Sequence, residues 1–273
     1  MTTQTARAAT PSPVLLRETT GGIAILTLNR PEARNSLSEA LIADLHAALD
    51  AIQHDAGVRA VVIAANGPAF SSGHDLKELT AHRADADHGR AYFAQMMSRC
   101  SAMMQAIVGL PKPVIAAVQG IATAAGCQLV ASCDLAVASQ AATFATPGVD
   151  IGLFCSTPMV ALSRNIPRKQ AMEMLLTGEA ITATRAREIG LINRVVAAVS
   201  ERQAAIALAQ TVARKSAHTI KLGKAAFYRQ SEMSLAEAYR YASEVMTDNM
   251  MAADAEEGIG AFIGKRAPNW QDR

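Results

Sequence analysis

Val114-Ile115-Ala116-Ala117-Val118-Gln119-Gly120-Ile121-Ala122-Thr123-Ala124-Ala125-Gly126-Cys127-Gln128 decides how the rest of the chain is read. The β-branched apolar run Val114–Val118 reads as a buried strand, and the small residues of Gly120–Gly126 read as a tight loop opening a helical segment, Cys127–Ala131. Side chains this small allow a ligand to approach the backbone. Backbone N–H groups at a helix start are unpaired and lie at the positive end of its dipole. A strand, loop and helix start of this kind suits an anion, or an oxygen that becomes one during a reaction.

Working outward, 273 residues suffice for one large domain or a domain with a helical appendage. Aromatics make up only 4% of the chain, so the core must be aliphatic and methionine-rich. The net charge of +2 comes from interspersed charges with no basic stripe interleaved with aromatics, which argues against nucleic acid. No stretch has the roughly 18 uninterrupted apolar residues of a membrane span, and no membrane insertion is expected. Cys100, Cys127, Cys133 and Cys155 lack Cys-x-x-Cys spacing and read as buried free thiols, pointing to a reducing, cytoplasmic compartment. His74, His82 and His88 match no zinc spacing, and no metal is expected.

Upstream, Leu15–Thr19 and Ile23–Asn29 flank a glycine turn and read as a hairpin. Ser38 caps an amphipathic helix that runs to His54, and Ala60–Ala64 is a second buried strand. Tyr92–Val108 is helical with a methionine-lined core face, ended by Pro111 and Pro113. Downstream, Leu135–Ala138 and Thr143–Thr146 read as strands, and Ile192–Val196 as a closing strand. Every segment from Glu201 onward reads as helix. The expected organisation is a disordered tail at 1–13, an α/β core at 14–200 and a helical region at 201–273.

This layout, with the residues at its turns, resembles the enoyl-CoA hydratase/isomerase family, the crotonase superfamily, from about Ile23 to Trp270. The resemblance rests on motifs in order: Arg30-Pro31-x-x-x-Asn35-x-Leu37, Phe70-x-x-Gly73-x-Asp75-Leu76, Lys112–Val118 with Gly120, Ala125-Gly126-Cys127, Cys133-Asp134, Leu175-x-Thr177-Gly178 and Glu257-Gly258-x-x-Ala261-Phe262-x-x-Lys265-Arg266. The stretches Phe70–Leu79 and Phe144–Val149 are similar to those of its domain-containing protein 3 subgroup. The resemblance implies a ClpP-like spiral of β-β-α turns, with a C-terminal helical region completing a homotrimer, often a hexamer. It implies an acyl-CoA thioester as substrate and partner, with no permanently bound cofactor.

It further implies an oxyanion hole made by the backbone N–H groups of His74 and Ala125. Ala33, Arg34, Leu37, Asp75, Leu76 and Lys77 are expected along the coenzyme A channel, with Phe262, Lys265 and Trp270 near the adenine and its phosphate. The two glutamates with which hydratases of the family add water fall at Gln128 and Gly148, neither of which carries a proton at neutral pH. Each positioned acid or base is worth roughly 10² to 10⁴ in rate, so little hydratase activity is expected. Asp150, the imidazole of His74 and a polar wall at Ser156 are the candidate replacements. The alternative is a non-catalytic acyl-CoA binder or a regulatory protein of fatty-acid metabolism.

Overall fold

The computed structural model describes residues 12–273, so most of the tail expected at 1–13 lies outside the described residues. Strands β1 (Leu15–Thr20) and β2 (Ile23–Leu28) form the expected antiparallel hairpin. Helix α1 (Glu39–His54) follows, capped by Ser38, whose hydroxyl accepts from the Leu41 N–H. Then β3 (Ala60–Ala65), β4 (Ala69–Ser71), α2 (Leu76–Ala81) and α3 (Arg90–Gly109) make the first full turn. A second turn comprises β5 (Val114–Val118), β6 (Ile121–Thr123) and α4 (Ala125–Ser132). A third comprises β7 (Leu135–Ser139), β8 (Thr143–Ala145) and α5 (Ser156–Asn165). After α6 (Arg168–Thr177), β9 (Ile181–Thr182) and α7 (Ala183–Glu188), β10 (Arg194–Val196) closes the sheet.

Each turn sends one strand to each of two sheets. The larger sheet has the order β1-β2-β3-β5-β7-β10, parallel from β2 onward, and the smaller has the order β4-β6-β8-β9. This is the spiral of β-β-α turns. Both faces of the larger sheet are buried, so its strands read as unbroken apolar runs rather than alternating ones. Leu26, Ile63, Val114 and Ala116 face α1, α3 and α4 in the main core. Ile25, Val62, Ile115 and Val137 face the other way, onto Ala205 and Ala209 of α8 (Glu201–Ala213).

Helix α8 thus covers a sheet face, although it falls within the helical region drawn from residue 201. Only α9 (Ala217–Gln230), α10 (Leu235–Met250) and α11 (Ala253–Ile263) stand outside the two-layer core, and α9 and α10 bury none of their residues. What holds α9 down is polar. The Lys224 ammonium donates to Asp134 Oδ2 (2.7 Å) and to the carbonyls of Ile107 and Lys112 (3.0 Å each). Tyr228 donates to Asp134 Oδ1 (2.9 Å), and the Val114 N–H completes the carboxylate at 2.7 Å. Burial lowers the Lys224 pKa, and the neighbouring carboxylate opposes that shift.

Removing one partner of a buried ion pair leaves the other charge uncompensated, which costs about 3–5 kcal/mol. Asp134→Ala should therefore lower the urea midpoint by that amount of stability, whereas Arg185→Ala, at an exposed pair, should leave it within about 0.5 kcal/mol.

Candidate active site

The Arg30-Pro31-x-x-x-Asn35 motif is a clamp between loops. Arg34 and Asn35 both adopt left-handed backbone (φ 51°), a region asparagine tolerates better than most residues. The buried Asn35 amide accepts from the Arg30 N–H (2.8 Å) and donates to the Asn66 and Ala69 carbonyls (2.8 Å each). The loop is then sewn to the next one: Ser72 N–H donates to Arg34 (3.0 Å), Leu37 N–H to Gly73 (2.7 Å) and Asp75 N–H to Leu37 (3.4 Å). Asp75 caps α2 through the Lys77 N–H and accepts from Arg30 and the Ser36 hydroxyl (3.1 Å each). Against the opposing effect of its partial burial, these donors hold its carboxyl below the usual range.

Glycines set the approach of this loop to α4. Gly73 turns at φ +87°, and a Cβ there would stand 2.9 Å from Ala124 Cβ and 3.3 Å from the Ala125 nitrogen. A Cβ on Gly126 would meet the Ser71 carbonyl oxygen at 2.2 Å, and one on Gly120 the Pro68 oxygen at 2.1 Å. Gly120 and Gly126 are thus small because β4 and the chain leading into it lie against them, rather than to admit a ligand. Ala124 itself sits at φ 49°, ψ −120°, a costly conformation for a residue with a Cβ, and its N–H donates to the Ala145 carbonyl (2.9 Å). The result is two backbone N–H groups, of His74 and Ala125, on adjoining turns. Neither finds an acceptor among the described residues.

Polar side chains without partners gather on the same three segments. Both ring nitrogens of His74 are buried and unpartnered, as are Gln128 Oε1 and Thr146 Oγ1. Burial holds the His74 imidazole below its ordinary pKa; the Leu37 backbone lies near enough to the ring to oppose that shift, although no hydrogen bond of good geometry joins them. Thr146, next to the Ala145 carbonyl that holds Ala124, lies inside the stretch Phe144–Val149 that carries the subgroup resemblance, but nothing in that stretch singled it out as a site residue. At Gly148 a Cβ would meet the Leu153 carbonyl oxygen at 2.8 Å and Cys155 Sγ at 2.9 Å, so a larger side chain has no room. Burial pushes the Cys127 thiol up to about 12 and raises that of Cys155 as well.

Other residues singled out in the sequence lie apart. Asp150 is exposed, its carboxylate beside Gly178 at the end of α6. Ser156 is exposed at the start of α5, its hydroxyl donating to the Phe154 carbonyl (3.3 Å). Leu37 is fully buried and its backbone is used by the loop pairing, while Ala33 is half-buried and Arg34, Leu76 and Lys77 are exposed beside it. Phe262 is 86% exposed near the end of α11, and Lys265 is exposed just beyond it. That end of the chain is tied near the N-terminal end of the central strand β3: Trp270 donates to the Arg214 carbonyl and Asp272 pairs with Arg59, which precedes β3. The loops of His74 and Ala125 follow the other ends of the parallel strands. Among the described residues no cluster of three or more His, Cys, Asp or Glu could hold a metal ion.

The family model for enoyl-CoA hydratase/isomerase matches residues 18–273. The chain belongs to the enoyl-CoA hydratase/isomerase family. It is 47% identical over 267 residues to the mitochondrial enoyl-CoA hydratase domain-containing protein 3 of Homo sapiens, covering 97% of this chain and 85% of that one. The crystal structure of the human protein superposes with a TM-score of 0.89 at 46% identity, covering 94% and 100% of the two chains. That of an enoyl-CoA hydratase from Mycobacterium smegmatis gives 0.90 at 50% identity, covering 94% and 99%. The family's acyl-CoA chemistry requires no resident cofactor, in keeping with a site assembled from backbone and neutral side chains. Among the described residues, no helix is long and apolar enough to cross a membrane.

The fit at Gly126 gives a direct test of how the donor loops are held. Gly126→Ala should cost about 3 kcal/mol, the upper end of overpacking penalties, because the obstructing atom is backbone. Gly223→Ala, on α9 with open space around it, should be neutral or mildly stabilising by thermal melting.

Proposed function

We propose that this chain binds an acyl-CoA thioester and holds its carbonyl oxygen, as it becomes an enolate, between the N–H groups of His74 and Ala125. The observation that carries the reading is the adjacency of these two unpaired donors across Gly73 and Ala125. A donor of this kind is worth about 3 kcal/mol in the transition state, and backbone supplies it whatever the side chain. In the same reading the family's glutamate positions, Gln128 and Gly148, leave little hydratase activity. Gln128 offers a neutral amide, and the space beyond Gly148 is occupied by Leu153 and Cys155. Asp150 and Ser156, both exposed, are the weaker candidates for side-chain chemistry.

Coenzyme A would run past Ala33, Arg34, Leu37, Asp75, Leu76 and Lys77. Phe262 and Lys265 would reach its adenine end from a neighbouring copy, since their own loop lies at the other end of the strands. The exposed apolar side chains of the outer helices, among them Phe227, Met246, Met250 and Ile263, support a homotrimer, or a hexamer built from two. The second reading, a non-catalytic acyl-CoA binder, draws on the same filled space at Gly148. The buried free thiols fit a reducing compartment, whether cytoplasmic or, as named for the human relative, mitochondrial.

Calorimetric titration with coenzyme A and medium-chain acyl-CoA, beside a crotonyl-CoA hydration assay, tests the reading. Binding with hydration near the uncatalysed rate is the expected outcome. Failure to bind any CoA thioester, or rapid hydration, would overturn it. Sedimentation should give three or six copies, and Phe262→Ala should weaken coenzyme A binding without lowering the melting temperature.

A further inference from the structure

The donor pair accounts for two backbone groups but leaves the orphaned side chains beside it without a purpose. Four buried polar atoms, His74 Nδ1 and Nε2, Gln128 Oε1 and Thr146 Oγ1, have no partner. The segments that carry them are joined at Gly73–Ala125 and at Ala124–Ala145. Buried polar groups are normally satisfied, so a set of this size on converging segments marks a place where a ligand supplies the missing partners. Of the side chains gathered there, His74 alone is an imidazole, with a ring nitrogen able to take up a proton. Gln128 and Thr146 do not titrate, the thiols of Cys127 and Cys155 are held protonated by burial, and the Asp75 carboxylate is consumed by Arg30, Ser36 and the Lys77 N–H.

We propose that the His74 imidazole is the base that removes and returns a proton at the α-carbon of the bound acyl-CoA, making this chain a carbon-acid catalyst for thioesters rather than a hydratase. The proposal rests on the acyl-CoA reading above. The geometry is local: if the His74 N–H holds the thioester oxygen, the α-carbon two bonds away falls within reach of the side chain of the same residue. An imidazole nitrogen takes the α-proton, and the C–H electron pair moves into the enolate whose oxygen the two N–H groups hold. Return of the proton to the α-carbon gives exchange with solvent. In a β,γ-unsaturated thioester, return to the γ-carbon moves the double bond into conjugation, and neither course needs a co-reactant. Burial keeps the ring neutral, hence able to accept, at pH 7.

The test uses the full-length protein with octanoyl-CoA in deuterated buffer, following loss of the α-proton by NMR, and a 3-enoyl-CoA, following appearance of the conjugated thioester. The wild type should catalyse both. His74→Gln, which keeps the backbone donor, should lower kcat by roughly 10²–10⁴ with KM and calorimetric affinity little changed. His46→Gln, on α1 away from these loops, should match the wild type. His74→Ala should regain exchange when imidazole is added, a rescue that a purely structural histidine would not show. If His74→Gln is poorly folded, that rescue in His74→Ala decides the matter. Unimpaired exchange in His74→Gln, absence of rescue, or a wild type that binds octanoyl-CoA without exchanging it would overturn the proposal and leave the binding reading standing. A wild type that binds no CoA thioester overturns both.

Discussion

The close approach of Gly126 to the Ser71 carbonyl is the constraint on which the rest of this structure turns. A main-chain oxygen stands where any side chain at 126 would begin, so the first turn of α4 is pressed against β4 with no intervening layer. Gly120 meets the Pro68 carbonyl in the same way at the other end of β6. These contacts bring β6 and the start of α4, in the second β-β-α turn, against β4 of the first. They can persist because interiors are close-packed and resist sub-ångström shifts. Once they are fixed, the peptide groups of His74 and Ala125 have little freedom to point elsewhere.

A second consequence is a division of labour between backbone and side chains. The proposed oxyanion donors are main-chain groups, which survive any exchange of side chains that preserves the glycines and Asn35. Acid and base groups are side chains and can be lost one at a time. Under the proposed reading the backbone half of the site is kept, whereas Gln128 and Gly148, the positions assigned to the two glutamates, hold residues that cannot move a proton at neutral pH. On that reading the chain retains the means to stabilise an enolate and must find its proton transfer elsewhere.

Much of this fold was legible in the sequence. Buried parallel strands show as apolar runs, and helix starts show as caps; Ser38 and the run Val114–Val118 were read to the residue. The glycine turns of the two proposed donor loops were legible because glycine patterns survive in sequence. The purpose of the glycines was not: a small residue reads the same whether it makes room for a ligand or for another strand, and only the three-dimensional contact separates the two. Helix α8 was unreadable as part of the sheet packing for a similar reason. Ala205 and Ala209 are too small to mark a buried face by hydrophobic pattern, yet they let the helix lie close on the strands. The unpartnered hydroxyl of Thr146 and the space filled by Leu153 and Cys155 at Gly148 depend on how the loop folds back on itself, which the stretch Phe144–Val149 does not show as a sequence.

Ala124 carries the remaining step. Its backbone (φ 49°, ψ −120°) is one that glycine adopts freely and alanine only under compulsion. The compulsion is visible: the Ala124 N–H is bound to the Ala145 carbonyl, its carbonyl accepts from the Gln128 N–H (3.0 Å), and the next residue but one is pinned by Ser71. Relaxing Ala124 to an ordinary conformation would rotate the 124–125 peptide and turn the Ala125 N–H away from Gly73. The donor pair is therefore held by the surrounding packing against a local preference. That is how a site keeps its donors oriented before substrate arrives, and orientation fixed in advance is what makes an oxyanion hole effective at the moment charge develops.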